Sequence, residues 1–153
     1  MTGREDKKAN DLFFTCSLIE YIARKTKNKP SDIVNFLGET KLKKIYDLAD
    51  IYHSDNIDRV SDDLIESCHI QVGSFDNVAK CRYSVPSHWD IGKVYKRLIL
   101  SAAGNHSDII KTLIDVYNSF ISDLIEDYNS SFYYDNPQTI FYTYINNSVN
   151  IEE

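Results

Sequence analysis

Apolar residues recur every three or four positions along most of this chain, and that spacing constrains its fold more than any other feature. The segment 11–26 shows the pattern, because Leu12, Cys16, Ile19 and Ala23 would share one face of a helix. Residues that interrupt helices are few, since 153 residues include five glycines and three prolines. A β-rich domain of this length usually carries more turn residues. The sequence therefore predicts an all-α fold of six or seven helices in two packed helical lobes.

Breaks in the helical spacing divide the chain into five segments. Residues 1–10 are polar and are predicted to be a flexible lead-in, followed by an N-terminal helical lobe at 11–68. The helical period is lost at 69–83, which predicts a connecting loop longer than most helix links. A C-terminal helical lobe at 84–147 and a short tail at 148–153 complete the predicted organisation.

The first lobe is predicted to contain four helices. Ser31 can cap a short second helix, and Gly38 can end it in a left-handed conformation. A third helix is predicted from Thr40 to about Tyr52, and a fourth follows as far as Cys68.

Capping signals also organise the second lobe. Ser87 and Asp90 resemble a capping box, with Asp in place of the usual Glu or Gln. The longest predicted helix starts at Ser107 and Asp108 and runs to about Tyr128.

The final segment, QTIFYTYI, carries two conflicting signals. Its β-branched and aromatic residues favour a strand, whereas Asn136 as a cap and Pro137 at the first helical position favour a short helix. Of the two, a helix is preferred.

The last 42 residues, Thr112 to Glu153, contain seven acidic and nine aromatic residues but no Lys, Arg or His. Tyrosine is enriched in the centres of protein interfaces, and surrounding acids speed association with a basic partner. This composition predicts a non-enzymatic protein-binding module that covers a basic partner protein with an acidic, tyrosine-rich face. The predicted partner-binding residues are Trp89, Asp123, Glu126, Asp127, Tyr128, Tyr133, Tyr134 and Asp135.

Two basic patches in the first lobe support an alternative function. Arg24, Lys25 and Lys27 follow one another closely, and Lys41 and Lys44 lie further along the chain. Together they could contact phosphate in a nucleic-acid-binding regulator. The net charge of −6 argues against this alternative, because nucleic-acid-binding domains usually have a basic excess.

The sequence predicts no catalytic, cofactor or metal site. No histidine lies three or four residues from another histidine or a cysteine, as a metal site on a helix would require. His88 and Asp90 are near neighbours in sequence and would point apart on a helix, and the glycines form no phosphate loop. A small enzyme remains a third hypothesis, in which a pocket between the lobes would bring together His88, Asp90 and a thiol.

Three widely spaced cysteines and a charged N-terminus predict a reducing, cytoplasmic location. No apolar run approaches the length that a membrane span requires, so no membrane association is expected.

Several stretches resemble a bacterial family of small helical proteins of unknown function. In the first lobe these are FFTCSLIEYIARK, SDIVNFLG and KKIYDLADIYH, and in the second VPSHWDIGKVYKRLI and the pair Asn136-Pro137. The family is similar to small proteins encoded beside ADP-ribosyltransferase-like proteins, an arrangement typical of toxin and antitoxin pairs. The resemblance implies an antitoxin-like or immunity-like role with an ADP-ribosyltransferase-like toxin as partner. It supplies no catalytic residues, and a homo-oligomer stays open.

Overall fold

The computed structural model describes residues 3–105 and 108–150, with side chains at 7–105 and 108–147. Within these ranges the fold is all-helical and contains no strand, as the apolar spacing predicts. Nine α-helices are described, which is more than the six or seven predicted. They are α1 (Gly3–Thr26), α2 (Pro30–Asp47), α3 (Ala49–His53), α4 (Ile57–Ser67), α5 (Asn77–Lys80), α6 (His88–Ala103), α7 (Ile109–Tyr117), α8 (Phe120–Ile125) and α9 (Pro137–Asn150), with one 3-10 turn at Phe132–Tyr134.

Helix α1 lies at the centre of the fold. Leu12, Leu18, Ile19 and Ile22 on this helix are fully buried, and so are polar residues such as Thr15 on its other faces. A helix buried on most of its circumference must have neighbours on several sides. Helices α2, α3, α4 and α6 supply them, and the most extensive contact is between α1 and α6.

Helix α6 begins at the predicted capping box, which is confirmed. The Ser87 hydroxyl accepts a hydrogen bond from the Asp90 backbone N–H at 3.0 Å, and the Asp90 carboxylate accepts one from the Ser87 N–H at 2.9 Å. This reciprocal pair satisfies two amide groups that have no partner inside the helix. The cap fixes the start of α6 beside the segment 84–86.

The first predicted lobe differs from its prediction at three places. The expected lead-in is already helical from Gly3. Helix α2 begins at Pro30 with Lys29 as its N-cap, so Ser31 does not cap it. The helix predicted to run to Tyr52 stops at Asp47, and the separate helix α3 follows. Gly38 has the expected positive φ of 78°, and its non-helical backbone separates two helical stretches at a kink within α2.

The long helix predicted to end near Tyr128 is interrupted after Tyr117. The Asn118 side chain donates to the Ile114 carbonyl at 2.9 Å, and the Ser119 hydroxyl caps α8 by accepting from the Ile121 N–H. Asn and Ser side chains compete in this way with backbone hydrogen bonds and separate two helices. Asp108 caps α7 as predicted, whereas Ser107 lies outside the described residues.

The predicted connecting loop contains the short helix α5, and the QTIFYTYI segment is helical within α9, not a strand. Helix α9 extends to Asn150, so the first three residues of the predicted tail are helical, and 151–153 lie outside the described part of the chain.

The division into two lobes stays a prediction. The α1–α6 contact joins the two predicted lobes, and so does the contact between α2 and α7. The hydrophobic core is accordingly continuous from α1 to α9.

Gly92 allows α6 to approach α1 closely, and substitution of this residue tests the packing of the two helices. A Cβ atom at Gly92 would lie 2.2 Å from the Ser17 hydroxyl oxygen and 2.9 Å from the Ser17 backbone. Alanine within a helix normally adds about 1 kcal/mol of stability over glycine. We expect the opposite sign for Gly92→Ala, a loss of about 1–3 kcal/mol in the free energy of unfolding, because α1 and α6 must separate.

Urea denaturation measures this change, with Lys93→Ala, an exposed position on the same helix, as the control. A Gly92→Ala protein as stable as the wild type would contradict the close contact of the two helices.

Candidate functional site

Three of the eight predicted partner-binding residues are buried. Glu126 is 5% exposed, and the rings of Tyr128 and Tyr133 are also sequestered. The prediction that these side chains face solvent is therefore wrong. Their burial has a tertiary cause, because the Glu126 carboxylate and the Tyr128 hydroxyl are bonded to residues from α1, α5 and α6.

The exposed members of the predicted set lie on two separate surfaces. Asp123 and Asp127 line a cavity of about 220 Å³ that also contains Lys29 and Lys80. The Lys29 ammonium lies 3.7 Å from the Asp123 carboxylate. The acidic residues of the C-terminal part are therefore accompanied by cations from earlier parts of the chain, which composition alone does not show.

Tyr134 and Asp135 line a second, larger groove and do not contact the Asp123 cavity. Tyr134 is 72% exposed, the most exposed tyrosine of the C-terminal part that the structure describes. Tyr133 stacks beneath it with a ring-centroid distance of 4.4 Å, and so supports Tyr134 from the core side.

Trp89 lies apart from the other predicted residues. Its half-buried ring lies 5.5 Å from the Phe13 ring and 4.7 Å from the His88 ring. It lines a separate cavity of about 380 Å³ with Asp50 and His53. The structure therefore does not bring Trp89 together with the tyrosines near Tyr133.

The most unusual group of side chains is a buried pair of carboxyl groups, Glu20 on α1 and Glu126 at the end of α8. Glu20 is 1% exposed, its Oε2 atom has no hydrogen-bond partner among the described residues, and the negative charge of Glu126 acts on it. Three donors already bond to the Glu126 carboxylate. They are the Tyr95 hydroxyl at 2.9 Å, the Tyr128 hydroxyl at 3.1 Å and the Asn77 side-chain amide at 3.0 Å.

This hydrogen-bond pattern assigns the proton of the pair to Glu20. Ionised carboxylates only accept hydrogen bonds, and the Glu126 oxygens already accept from three donors. Burial raises the pKa of Glu20 well above its usual range, and the negative charge of Glu126 raises it further. Burial also raises the pKa of Glu126, but the donated hydrogen bonds oppose that rise. Burial and the negative charge of Glu126 therefore favour the neutral form of Glu20, whereas the three donated hydrogen bonds favour the ionised form of Glu126.

Arg24 joins this network through Tyr128, and its positive charge lowers the pKa of Glu20 and so opposes the effects of burial and of Glu126. One of its terminal nitrogens donates to the Tyr128 hydroxyl at 2.9 Å and to the Pro86 carbonyl at 2.7 Å. The Tyr128 hydroxyl donates in turn to Glu126, so a continuous hydrogen-bond chain links the two charges. A buried charge without such a partner would cost several kcal/mol.

The basic patch proposed for nucleic acid is largely engaged within the protein. Arg24 points into the buried network, Lys25 forms ion pairs with Asp58 and Asp62 at 3.2 Å and 2.8 Å, and Lys27 lies 3.5 Å from Asp76. Neither Lys41 nor Lys44 lines any of the four described cavities. These contacts reduce the positive charge available for phosphate.

The enzyme hypothesis required His88, Asp90 and a thiol to converge. The His88 ring packs against the Tyr21 ring at 5.0 Å, and Asp90 belongs to the α6 cap. The Cys81 thiol donates to the Tyr83 carbonyl at 3.3 Å. None of the four described cavities contains all three groups, and within the described residues no set of three potential ligands is placed to bind a metal.

The most voluminous of the four described cavities is a groove of about 470 Å³, named here the α6–α9 groove. Helices α6 and α9, the 3-10 turn and the segment 84–86 form its walls. Its apolar surface comes from Val94, Leu98, Tyr133 and Ile140. Exposed Tyr134 stands at one edge.

One wall of the groove is cationic. Lys93 and Arg97 are exposed and lie one turn apart on α6, and neither forms an ion pair with a described side chain. Lys96 lies close behind them. Burial lowers the pKa of Lys96, and the positive charges of Arg97 and Lys93 lower it further. Of the two acids in the groove, Asp90 already caps α6, which leaves Asp135.

Glu20, Asn77 and Tyr95 are not among the predicted site residues, and Glu126 was predicted to lie on a partner-binding face. A usable signal exists for Glu20, because it lies inside the otherwise apolar run CSLIEYIA on the buried part of α1. An acid among residues that must be buried predicts a buried partner. The sequence does not identify that partner, because Glu126 lies more than a hundred residues away.

No helix among the described residues has both the length and the apolar character needed to cross a membrane. No family model, curated protein or solved structure matches the chain. The resemblance to the bacterial family therefore stays a prediction.

The assignment of the proton predicts opposite effects for two conservative substitutions. Gln at position 20 keeps a neutral donor next to Glu126, so we expect Glu20→Gln to be folded and at least as stable as the wild type at neutral pH. Gln at position 126 removes the buried carboxylate that accepts from Asn77, Tyr95 and Tyr128, and one of its amide N–H donors would face these donors. We expect Glu126→Gln to lose about 3 kcal/mol or more in the free energy of unfolding.

The sign of the pH dependence follows from the raised pKa of Glu20. Above the ordinary Glu pKa of about 4.3 the folded state holds a proton that the unfolded state has released. The free energy of unfolding therefore falls as the pH rises towards the folded-state pKa, by at most about 1.4 kcal/mol per pH unit for one proton. Denaturation measured across pH should lose this slope in Glu20→Gln and retain it in Glu66→Gln, an exposed control. Equal losses of stability in the two buried-site variants would contradict the assignment.

Proposed function

We propose that this protein is a non-enzymatic protein-binding module and that the α6–α9 groove holds a segment of the partner. The observation that carries the proposal is the combination of an apolar floor, an exposed aromatic edge and an unpaired cationic wall in one groove. Binding grooves typically pair apolar surface with a few charged groups that fix orientation.

The chemistry of the groove favours a partner segment that carries a large apolar side chain next to a carboxylate. The apolar side chain would lie on Val94, Leu98 and Ile140. The carboxylate would pair with Lys93 and Arg97, and an arginine can bind a carboxylate through two parallel hydrogen bonds. Tyr134 would then cover the bound segment, since its ring offers contact area and a polar group together.

This proposal changes the partner charge expected from composition. Asp123 and Asp127 remain exposed and are the residues on which a basic partner would depend, but Lys29 and Lys80 share their cavity. Lys93 and Arg97 in the groove wall form no ion pair with a described side chain, and Asp135 is the acid of the groove that is left to neutralise them. An acidic–apolar segment is therefore the better supported occupant. The antitoxin-like role and an ADP-ribosyltransferase-like toxin as its source stay predictions of the family resemblance.

Selection of peptides from a random library displayed on phage, with the full chain immobilised, tests this proposal even though the partner is unidentified. We expect enriched peptides to combine a large apolar residue with Asp or Glu. The Lys93→Glu/Arg97→Glu double variant should weaken binding of these peptides at least about tenfold, because two attractions become repulsions. The exposed control Lys44→Glu should leave binding unchanged, since that residue lies outside the groove.

The selection could instead enrich Lys- and Arg-rich peptides whose binding is lost in the Asp123→Lys/Asp127→Lys variant. That result would contradict the groove as the binding site and support a basic partner. Preferential retention of single-stranded nucleic acid, with a steep loss as salt rises, would support the nucleic-acid alternative.

A further inference from the structure

A cavity of about 380 Å³ lies between helices α1 and α3 and the start of α6, and is named here the Trp89 pocket. It combines aromatic rings with negative charge. Four rings and two carboxylates line it, those of Phe13, Phe14, His53, Trp89, Asp11 and Asp50. Among the described residues, none lines both this pocket and the α6–α9 groove. The pocket is therefore a second surface, outside the function proposed for the groove.

The rings of the Trp89 pocket form two pairs. Trp89 and Phe13 lie with their ring centroids 5.5 Å apart, and Phe14 and His53 meet edge-on at 5.6 Å. The face of an aromatic ring attracts a cation, and tryptophan does so most strongly. The Phe13 ring already makes such a contact, because the Lys96 ammonium lies 5.9 Å from its centroid. Trp89 is therefore the ring of the pocket best suited to a further cation.

The two carboxylates of the pocket already hold an ammonium group of the chain itself. Lys7 donates to the Asp50 carboxylate at 2.9 Å and to the Asp11 carboxylate at 3.1 Å. Only one oxygen of each carboxylate accepts these bonds, and no described residue donates to the other oxygen. Lys96 forms no ion pair with either acid. Two negative charges thus share one ammonium, and two acceptor oxygens remain for a second cation.

An arginine side chain matches this set of groups better than a lysine side chain does. A guanidinium is planar, stacks on aromatic rings and donates to carboxylate oxygens through a rigid fork of N–H groups. In the pocket it would lie on the Trp89 ring and donate to the remaining oxygens of Asp11 and Asp50. Its methylene stem would pack against the buried Phe14 ring.

We propose that the Trp89 pocket binds an arginine side chain of a basic partner protein, in competition with Lys7. Lys7 partly neutralises Asp11 and Asp50, and so lowers the affinity of the pocket for a second cation. Trp89 thereby has the partner-binding role predicted from the sequence, at a site apart from the tyrosines near Tyr133.

Trp89 is the only tryptophan of the chain, so its indole N–H resonance reports on this pocket alone. The full chain is titrated with a capped Gly-Arg-Gly peptide and followed by nuclear magnetic resonance. The matched control is the same peptide with citrulline in place of arginine, which keeps the shape of the side chain but removes its charge. We expect a saturable shift with the arginine peptide in the millimolar range, and binding of the citrulline peptide that is at least about fivefold weaker.

Substitution of Lys7 tests the competition directly. Lys7→Ala removes an ammonium that shares the two carboxylates, so the arginine peptide should bind at least about twofold more tightly. The citrulline peptide should bind as it does to the wild type. Lys8→Ala, an exposed neighbour that does not line the pocket, is the control and should leave both affinities unchanged.

Substitution of Asp50 should act in the opposite direction. Asp50→Asn removes a charge from an exposed side chain, so the arginine peptide should bind at least about twofold more weakly. Asp47→Asn, an exposed acid outside the pocket, should bind as the wild type does.

An arginine peptide that leaves the Trp89 resonance unmoved, or that binds no more tightly than the citrulline peptide, would overturn the proposal. Unchanged or weaker binding in Lys7→Ala would overturn the competition and with it the role of the two carboxylates. The Trp89 resonance and the groove variants report on different surfaces, so the two proposals can fail separately.

Discussion

The burial of two carboxyl groups, Glu20 and Glu126, is the constraint on which the interior of this protein depends. They come from distant parts of the chain, the central helix α1 and the end of α8, and the charge of Glu126 raises the pKa of Glu20. Around them, Tyr95, Asn77 and Tyr128 direct their donors at one carboxylate. Two ionised carboxylates at this depth would repel each other strongly, whereas one neutral and one ionised group would not. The fold therefore favours a single protonation state of the pair.

The same network connects the core to the surface. Arg24 contacts both the Tyr128 hydroxyl and the segment before α6, and Tyr128 packs against Tyr133 below the exposed ring of Tyr134. Buried polar networks that are fully bonded define one arrangement of their neighbours. The groove between α6 and α9 consequently has a wall whose position depends on hydrogen bonds in the interior. This connection relates the stability of the protein to the binding function proposed for it.

The sequence predicts local features of the fold well and tertiary features poorly. The α6 cap at Ser87 and Asp90 depends on residues three positions apart and was predictable. The break at Asn118 and Ser119 was not, because apolar spacing continues across it and only side-chain competition for backbone groups ends α7.

The candidate site was likewise predictable only in its local features. Counting charges from Thr112 onwards predicts an acidic surface, but the fold buries Glu126 and places Lys29 and Lys80 beside Asp123 and Asp127. Lys93 and Arg97 were predictable as the polar side of α6. Their position in an apolar groove depends on α9, which lies some forty residues later in the chain.

Infrared spectroscopy of the folded protein at neutral pH measures the protonation of carboxyl groups directly. The account predicts a carbonyl stretching band from a protonated carboxylic acid, present in the wild type and in Glu66→Gln and absent in Glu20→Gln. Ordinary surface carboxyl groups are ionised at neutral pH and give no such band. A wild-type spectrum without it would show that both carboxyl groups are ionised and would contradict the neutral form of Glu20.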